Sequence, residues 1–223
     1  MQKLEHLLSN YSFANVLPLK LSLNNAVAID LSVNNKELYE IQELNSSSLT
    51  KYVEKKIREA GAEYGIGGYA EDRLVYRRSK HFGEGENARS IHLGVDIWCS
   101  ANTPVFAPFD AIIHSFKNND NFGDYGPTII LEHKIENTIF YTLYGHLSGE
   151  WLQKSKVKKS IKKGEKFAVL GTEDENGNWP PHLHFQIITD MQGRTGDFPG
   201  VASQKEKEEY LALCPNPNLI LNT

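Results

Sequence analysis

The spacing of apolar and polar residues changes once along this chain, near residue 90. Before that point the elements are mixed. QKLEHLLSNY predicts a short helix, and LPLKLSL and AVAIDLSV alternate like strands separated by the turn-forming pair Asn24-Asn25. SSSLTKYVEKKIREAGAEY is the strongest helix. A serine cap precedes good helix formers, Val53 and Ile57 recur at helical spacing, and Gly61 helps end it. GIGGYAEDR and HFGEGENARS read as connecting segments.

From about residue 90 the period is two. HLGVDIW, PVFAPF, DAIIHSF, PTIILEH, TIFYTLYGHL, KFAVLG and HLHFQII read as strands. Turn signals at Asn118-Asn119-Asp120, Gly123-Asp124, Glu136-Asn137 and Asn176-Gly177-Asn178 bound them. Many short strands with no intervening helices predict a mainly β protein, an antiparallel sheet or barrel-like sandwich. A loop containing GDFPG, a short helix around KEKEEYLALC and an extended tail, PNPNLIL, complete the chain. The expected organisation is an α+β extension over 1–80, a β domain over 81–195, and a C-terminal helix and tail over 196–223.

Composition narrows this picture. With 223 residues the chain suits one well-packed domain, or one domain with a sizeable extension. A net charge of −4 gives no reason to expect nucleic acid or an anionic membrane as partner. The basic run KSKVKKSIKK at 154–163 is interleaved with Val157 and Ile161, as in a solvated strand or loop. Cys99 and Cys214 form no CxxC pair and are expected to be two buried free thiols. The N-terminus shows no secretory pattern, and no apolar window approaches the ~18–20 residues of a membrane span, so a cytoplasmic location is expected.

Three short stretches carry the candidate chemistry. In HLGVD, strand alternation points His92 and Asp96 the same way, and Gly94 between them clears the space above the strand. In PPHLHFQI, His182, His184 and Gln186 share one face while Leu183, Phe185 and Ile187 fill the core on the other. In TLYGHLS, His146 follows a strongly β stretch, and Gly145 signals crowding or a bend. Each stretch alone fits an ordinary surface or structural histidine. Together they match a hydrolytic zinc site, which needs three protein ligands and an open fourth position. His92, Asp96 and one histidine of the HxH pair supply the ligands, leaving two histidines for proton transfer or oxyanion stabilisation.

The remaining candidates carry less. His114 and His133 read as structural or surface histidines, and Trp98 and Trp151 as packing. Trp179 borders any groove beside the HxH pair. Alternation puts Cys99 on the face opposite the ligands, and nothing in the sequence requires Glu71 or Arg73 to reach the site. KKGEKFAVLG is hammerhead-like, but the chain lacks the lysine setting of a lipoyl or biotinyl carrier.

HxGxD, YGHLS and PPHLHF, in this order and spacing, resemble the lysostaphin/LytM-type zinc metalloendopeptidases over residues ~80–190. TPVFAPFDAII, GDYGPTIILEH and IKKGEKFAVLG resemble further strands of that family. The resemblance implies a barrel-sandwich-hybrid fold of the duplicated hybrid motif kind, with Zn²⁺ bound by His92, Asp96 and His184. It implies that His146 and His182 assist catalysis, and that the substrate is a peptide or peptidoglycan-like peptide. The alternative is a catalytically inactive relative serving as a binding or regulatory module. The bulky GTEDENGNWPP stretch departs from the family's small, glycine-rich segment, which argues against a glycyl-glycine substrate. The flanks resemble the peptidase-like domain of large intracellular proteins fused to a class III aminotransferase.

Overall fold

The computed structural model describes residues 2–18, 22, 24–78, 82–83, 85 and 88–221. Its frame is one large sheet of eight strands. These are β1 (Ala26–Ile29), β2 (Tyr64–Gly67), β4 (Val95–Trp98), β6 (Ala111–Asn119), β7 (Gly126–Ile135), β8 (Thr138–Gly145), β9 (Ser160–Ile161) and β11 (His182–Ile188). The spatial order is β1-β2-β4-β11-β8-β7-β6-β9. All neighbours are antiparallel except β1 and β2, which run parallel, so the sheet is mixed and open rather than a closed barrel. Two small antiparallel pairs join it: β5 (Pro104–Phe106) with β10 (Lys166–Val169), and β3 (Arg89–His92) with β12 (Val201–Ser203).

Alternation along the central strands sorts their side chains onto two faces. Val95, Ile97, Leu183, Phe185 and Ile187 enter the principal core, which α1 (Gln2–Ser9) and α6 (Asn218–Leu221) close with Leu4, Leu8, Ile220 and Leu221. The opposite face carries Asp96, Trp98, His182, His184 and Gln186, and it too is buried. Two smaller apolar clusters flank it. One is built largely from the N-terminal segment, including Leu31, Leu49, Val75 and Tyr76; the other holds Ile91, Leu93, Tyr125 and Phe198. The polar row of the sheet therefore lies between two hydrophobic shoulders.

The hairpin joining β7 to β8 turns at Glu136-Asn137 as the sequence predicts, with Glu136 in the left-handed region at φ 54°. The predicted main helix is α3 (Ser46–Glu59), but its cap differs. Asn45 accepts from the Ser48 backbone N–H while the Ser48 hydroxyl accepts from the Asn45 N–H; the serines occupy the first turn.

Several other expectations are overturned. The connecting segment GIGGYAEDR supplies Gly65, Ile66 and Gly67 of β2, because pairing with β1 and β4 gives its backbone a ladder despite the glycines, and Tyr64, expected at the end of the helix, begins the strand. AVAIDLSV is strand only over β1. In LPLKLSL, residues 19–21 and 23 lie outside the described residues, and Leu17, Pro18 and Ser22 are not strand. Helices α2 (Lys36–Glu40) and α4 (Gly149–Lys154) were not predicted, and α4 interrupts the expected run of strands. The tail PNPNLIL ends in α6, where Ile220 and Leu221 turn into the core. No helix among the described residues is long and apolar enough to cross a membrane.

Candidate metal and catalytic site

The sequence places His92 and Asp96 on one strand, but the chain bends between them at Leu93-Gly94. His92 ends β3 and Asp96 lies in β4, so the bend, not alternation, brings them together. Gly94 is required for a different reason from the one expected. A Cβ there would lie 2.6 Å from Cε1 of His184 and 2.8 Å from the Phe185 carbonyl oxygen, so the glycine admits the His184 ring.

Register does the rest. His184 stands opposite Asp96 across β4–β11, Gly67 stands opposite Asp96 across β2–β4, and Gly145 stands opposite His184 across β8–β11. One row across four strands thus reads Gly67, Asp96, His184, Gly145: two donors bracketed by residues without side chains. A Cβ at Gly67 would meet Trp98 at 2.5 Å and Arg73 at 2.6 Å, and one at Gly145 would meet Tyr125 at 2.7 Å.

Three atoms converge on one point. His92 Nε2 lies 3.0 Å from His184 Nδ1 and 3.3 Å from Asp96 Oδ1, and His184 Nδ1 lies 3.1 Å from the same oxygen. The far nitrogens fix the tautomers. His92 Nδ1–H donates to the Gly68 carbonyl at 2.9 Å. His184 Nε2–H donates to Gln186 Oε1 at 2.9 Å, while the Gln186 amide nitrogen donates to Pro199 O and Cys214 Sγ. Carbonyl oxygens only accept, so the converging nitrogens present lone pairs. Two imidazole lone pairs and a carboxylate oxygen facing one another lack a shared donor. A cation satisfies all three, and their spacing is close to the ~3.3 Å edge of a tetrahedral zinc site with ligands at ~2.0–2.1 Å. His92, Asp96 and His184 are the one such group among the described residues.

The outer oxygen of Asp96 is held from outside the β domain. Residues 70–73 run beside β3, with Ala70 N–H donating to His92 O, His92 N–H to Glu71 O and Arg73 N–H to Ser90 O. This pairing carries the fully buried Arg73 guanidinium onto Asp96 Oδ2, where Nη1 donates to both the carboxylate and, at 3.1 Å, the Tyr76 hydroxyl. Nε donates to Glu71 Oε2 at 2.7 Å, and Glu71 Oε1 accepts from the Leu31 N–H.

These charges set protonation. Burial pushes the Asp96 carboxyl up, but His92, Arg73 and His182 beside it hold it well below the usual carboxylate range. Burial, reinforced by Arg73, lowers His92 to about 4, leaving it neutral near pH 7. Burial pushes Glu71 up despite Arg73.

His182 and His146 stand beside this group. His182 Nδ1–H donates to the Pro180 carbonyl, leaving Nε2 bare and 3.9 Å from Asp96 Oδ1; its ring stacks on Trp98 at 5.6 Å. His146 follows β8 with φ 61°, a left-handed turn that swings its ring inward, and its Nδ1–H donates to the Asn176 carbonyl at 2.8 Å. The two rings lie 4.0 Å apart. Burial lowers both histidines, and in His146 the neighbouring His182 adds to the effect.

All five residues singled out from the sequence meet here, four of them lining a cavity of about 400 Å3 together with Arg73, Tyr76, Trp98 and Trp179. Glu71 and Arg73, which the sequence allowed but did not require to fold back to the site, both reach it. Tyr76, Asn176 and Gln186 act there without having been picked out, and of these only Gln186 carried a signal, its place on the histidine face of β11. His133 and His114 are not part of it. Cys99 is half-buried rather than buried, Cys214 is buried, and burial pushes their thiols up to about 11 and 12.

Comparison with known proteins finds several that resemble part of the chain. An uncharacterized metalloprotease of Haemophilus influenzae is 34% identical over 130 residues, covering 54% of this chain and 24% of its own length. The chain thus spans about a quarter of that curated relative. Among solved structures, a zinc containing peptidase from Vibrio cholerae is 26% identical with a TM-score of 0.36, covering 44% of this chain and 27% of that one. The catalytic domain of lysostaphin from Staphylococcus simulans is 21% identical with a TM-score of 0.42, covering 64% and 86%. Peptidase family M23 matches residues 90–196, the stretch that contains all five histidine and aspartate positions of the site. Residues 90–196 therefore form a domain of peptidase family M23.

Proposed function

We propose that this protein is a zinc metalloendopeptidase whose metal is held by His92 Nε2, Asp96 Oδ1 and His184 Nδ1. The observation that carries the reading is the convergence of those three acceptor atoms at 3.0–3.3 Å with their tautomers fixed from behind. When bound, zinc supplies the Lewis acidity that polarises a peptide carbonyl and makes water a competent nucleophile near neutral pH.

The chain's own residues supply the proton handling. His182 and His146 are neutral with bare Nε2 atoms, so either can take the proton that water loses as it attacks the carbonyl carbon. The imidazolium so formed can return that proton to the departing amine nitrogen as the C–N bond breaks. Carbonyl acceptors at Asn176 and Pro180 keep both rings aimed while they cycle, and Arg73 keeps Asp96 anionic.

Metal analysis should find about one zinc per chain, lost in His92→Ala and Asp96→Ala. His146→Ala and His182→Ala should retain zinc yet cleave peptides ~10²–10⁴-fold more slowly. A zinc-free native chain would sink the ligand assignment. Zinc retention with no cleavage of any peptide would favour the binding-module alternative.

A further inference from the structure

The M23 match does not account for the whole cavity. One wall comes from the N-terminal segment, with Leu31, Leu49, Val75, Tyr76 and Phe82 joined by Trp98 and Trp179. This wall begins at the metal-donor group itself. The Tyr76 ring lies 6.4 Å from His92, 4.5 Å from Phe82 and edge-on to Trp179 at 6.2 Å. Trp98 stacks on His182. Trp179 is planted by the loop that aims His146: its backbone N–H donates to the Asn176 side-chain oxygen, while the Asn176 backbone carbonyl receives His146 Nδ1–H.

Such a wall discriminates between substrates. A glycine-rich peptide brings no side chain to it and leaves it in contact with water. A large apolar side chain displaces that water with a free-energy gain proportional to the area covered. At about 400 Å3 the cavity is in the size range of pockets that enclose ligand groups, ~300–1,000 Å3.

We propose that the site takes peptides with a large apolar side chain, aromatic or leucine-like, on a residue adjoining the scissile bond, in preference to glycine-rich peptides. The proposal rests on the metallopeptidase reading and names the substrate class of that site. Trp179, Tyr76 and Leu49 are its specificity-determining residues.

The test uses the zinc-loaded full chain and two metal-chelating probes, phenylalanine hydroxamate and glycine hydroxamate, with binding followed by tryptophan fluorescence. Phenylalanine hydroxamate should bind ~10–100-fold more tightly. Trp179→Ala should bring that ratio toward unity, and so should Leu49→Phe, which fills the pocket rather than opening it. Equal affinities in the unmodified protein, or tighter binding of the glycine probe, would overturn the proposal. In a parallel digest of fluorogenic peptides, cleavage beside Phe or Leu supports it, whereas cleavage confined to Gly-Gly bonds overturns it. If no peptide is cut but the phenylalanine probe keeps its advantage, the peptidase reading fails and the apolar pocket stands. Binding of neither probe overturns both.

Discussion

Asp96 has its two oxygens assigned to different tasks: Oδ1 joins the donor triangle and Oδ2 is bound by Arg73. Removing the guanidinium leaves a buried carboxylate uncompensated. Arg73→Met should therefore weaken zinc affinity by ~10–100-fold in chelator competition, and Arg73→Lys should recover part of the loss by restoring charge without the planar fork. His133 offers a separate test, away from the site. Buried between the Asp110 carbonyl, to which Nδ1–H donates, and the Thr142 hydroxyl at Nε2, it is lowered to about 4 by that burial. The folded protein thus resists protonation that the unfolded chain accepts near pH 6.5. The stability this contributes is complete above pH 6.5 and falls away as pH drops toward 4, by roughly 3 kcal/mol in all. Urea unfolding at pH 7 and pH 4.5 should show a larger acid loss in the native protein than in His133→Gln. At this scale His92 reaches Asp96 only through the β3–β4 bend, whereas Asp96 and the HxH pair were legible because few residue types can hold a metal and alternation set His182 and His184 on one face. Arg73 was not, because it comes from an aperiodic stretch 23 positions before Asp96. The acceptors that fix tautomers are largely backbone carbonyls, for which no residue type is a marker.

Among elements, the β3–β4 bend carries most of the geometry. Gly94→Ala should displace the His184 ring and cost zinc binding while leaving most of the core intact, since the intruding methyl meets the imidazole and a backbone carbonyl. Zinc content together with far-ultraviolet circular dichroism checks this. Helix α3 lends itself to a plainer measurement. Asn45→Ala removes one partner of the capping box and should lower stability by ~1 kcal/mol in thermal or urea unfolding. Period-two patterning made the core-facing strands readable. It failed for β2, β9 and β12, which are two to four residues long and exist through their neighbours' ladders rather than through any pattern of their own. α6 was missed for a similar reason: packing of Ile220 and Leu221 overrides the prolines and asparagines around it.

On the scale of the molecule, the M23 domain and the N-terminal segment are interdependent. The segment lengthens the large sheet by β1 and β2, supplies Arg73, and covers Trp98 and Trp179. A chain lacking residues 1–80 would expose β4 as a hydrophobic edge and should both aggregate in light scattering and lose zinc. The row formed by Gly67, Asp96, His184 and Gly145 has a bearing on how this protein can vary. Because alternate residues face opposite ways, one residue added to β2 between Gly65 and Gly67 would set Ile66 against Asp96 and turn the glycine gap into a bulky side chain. Tolerance in these four strands should therefore be set by length before identity. A library of single insertions and deletions there should be purged more severely than conservative point replacements at the same positions.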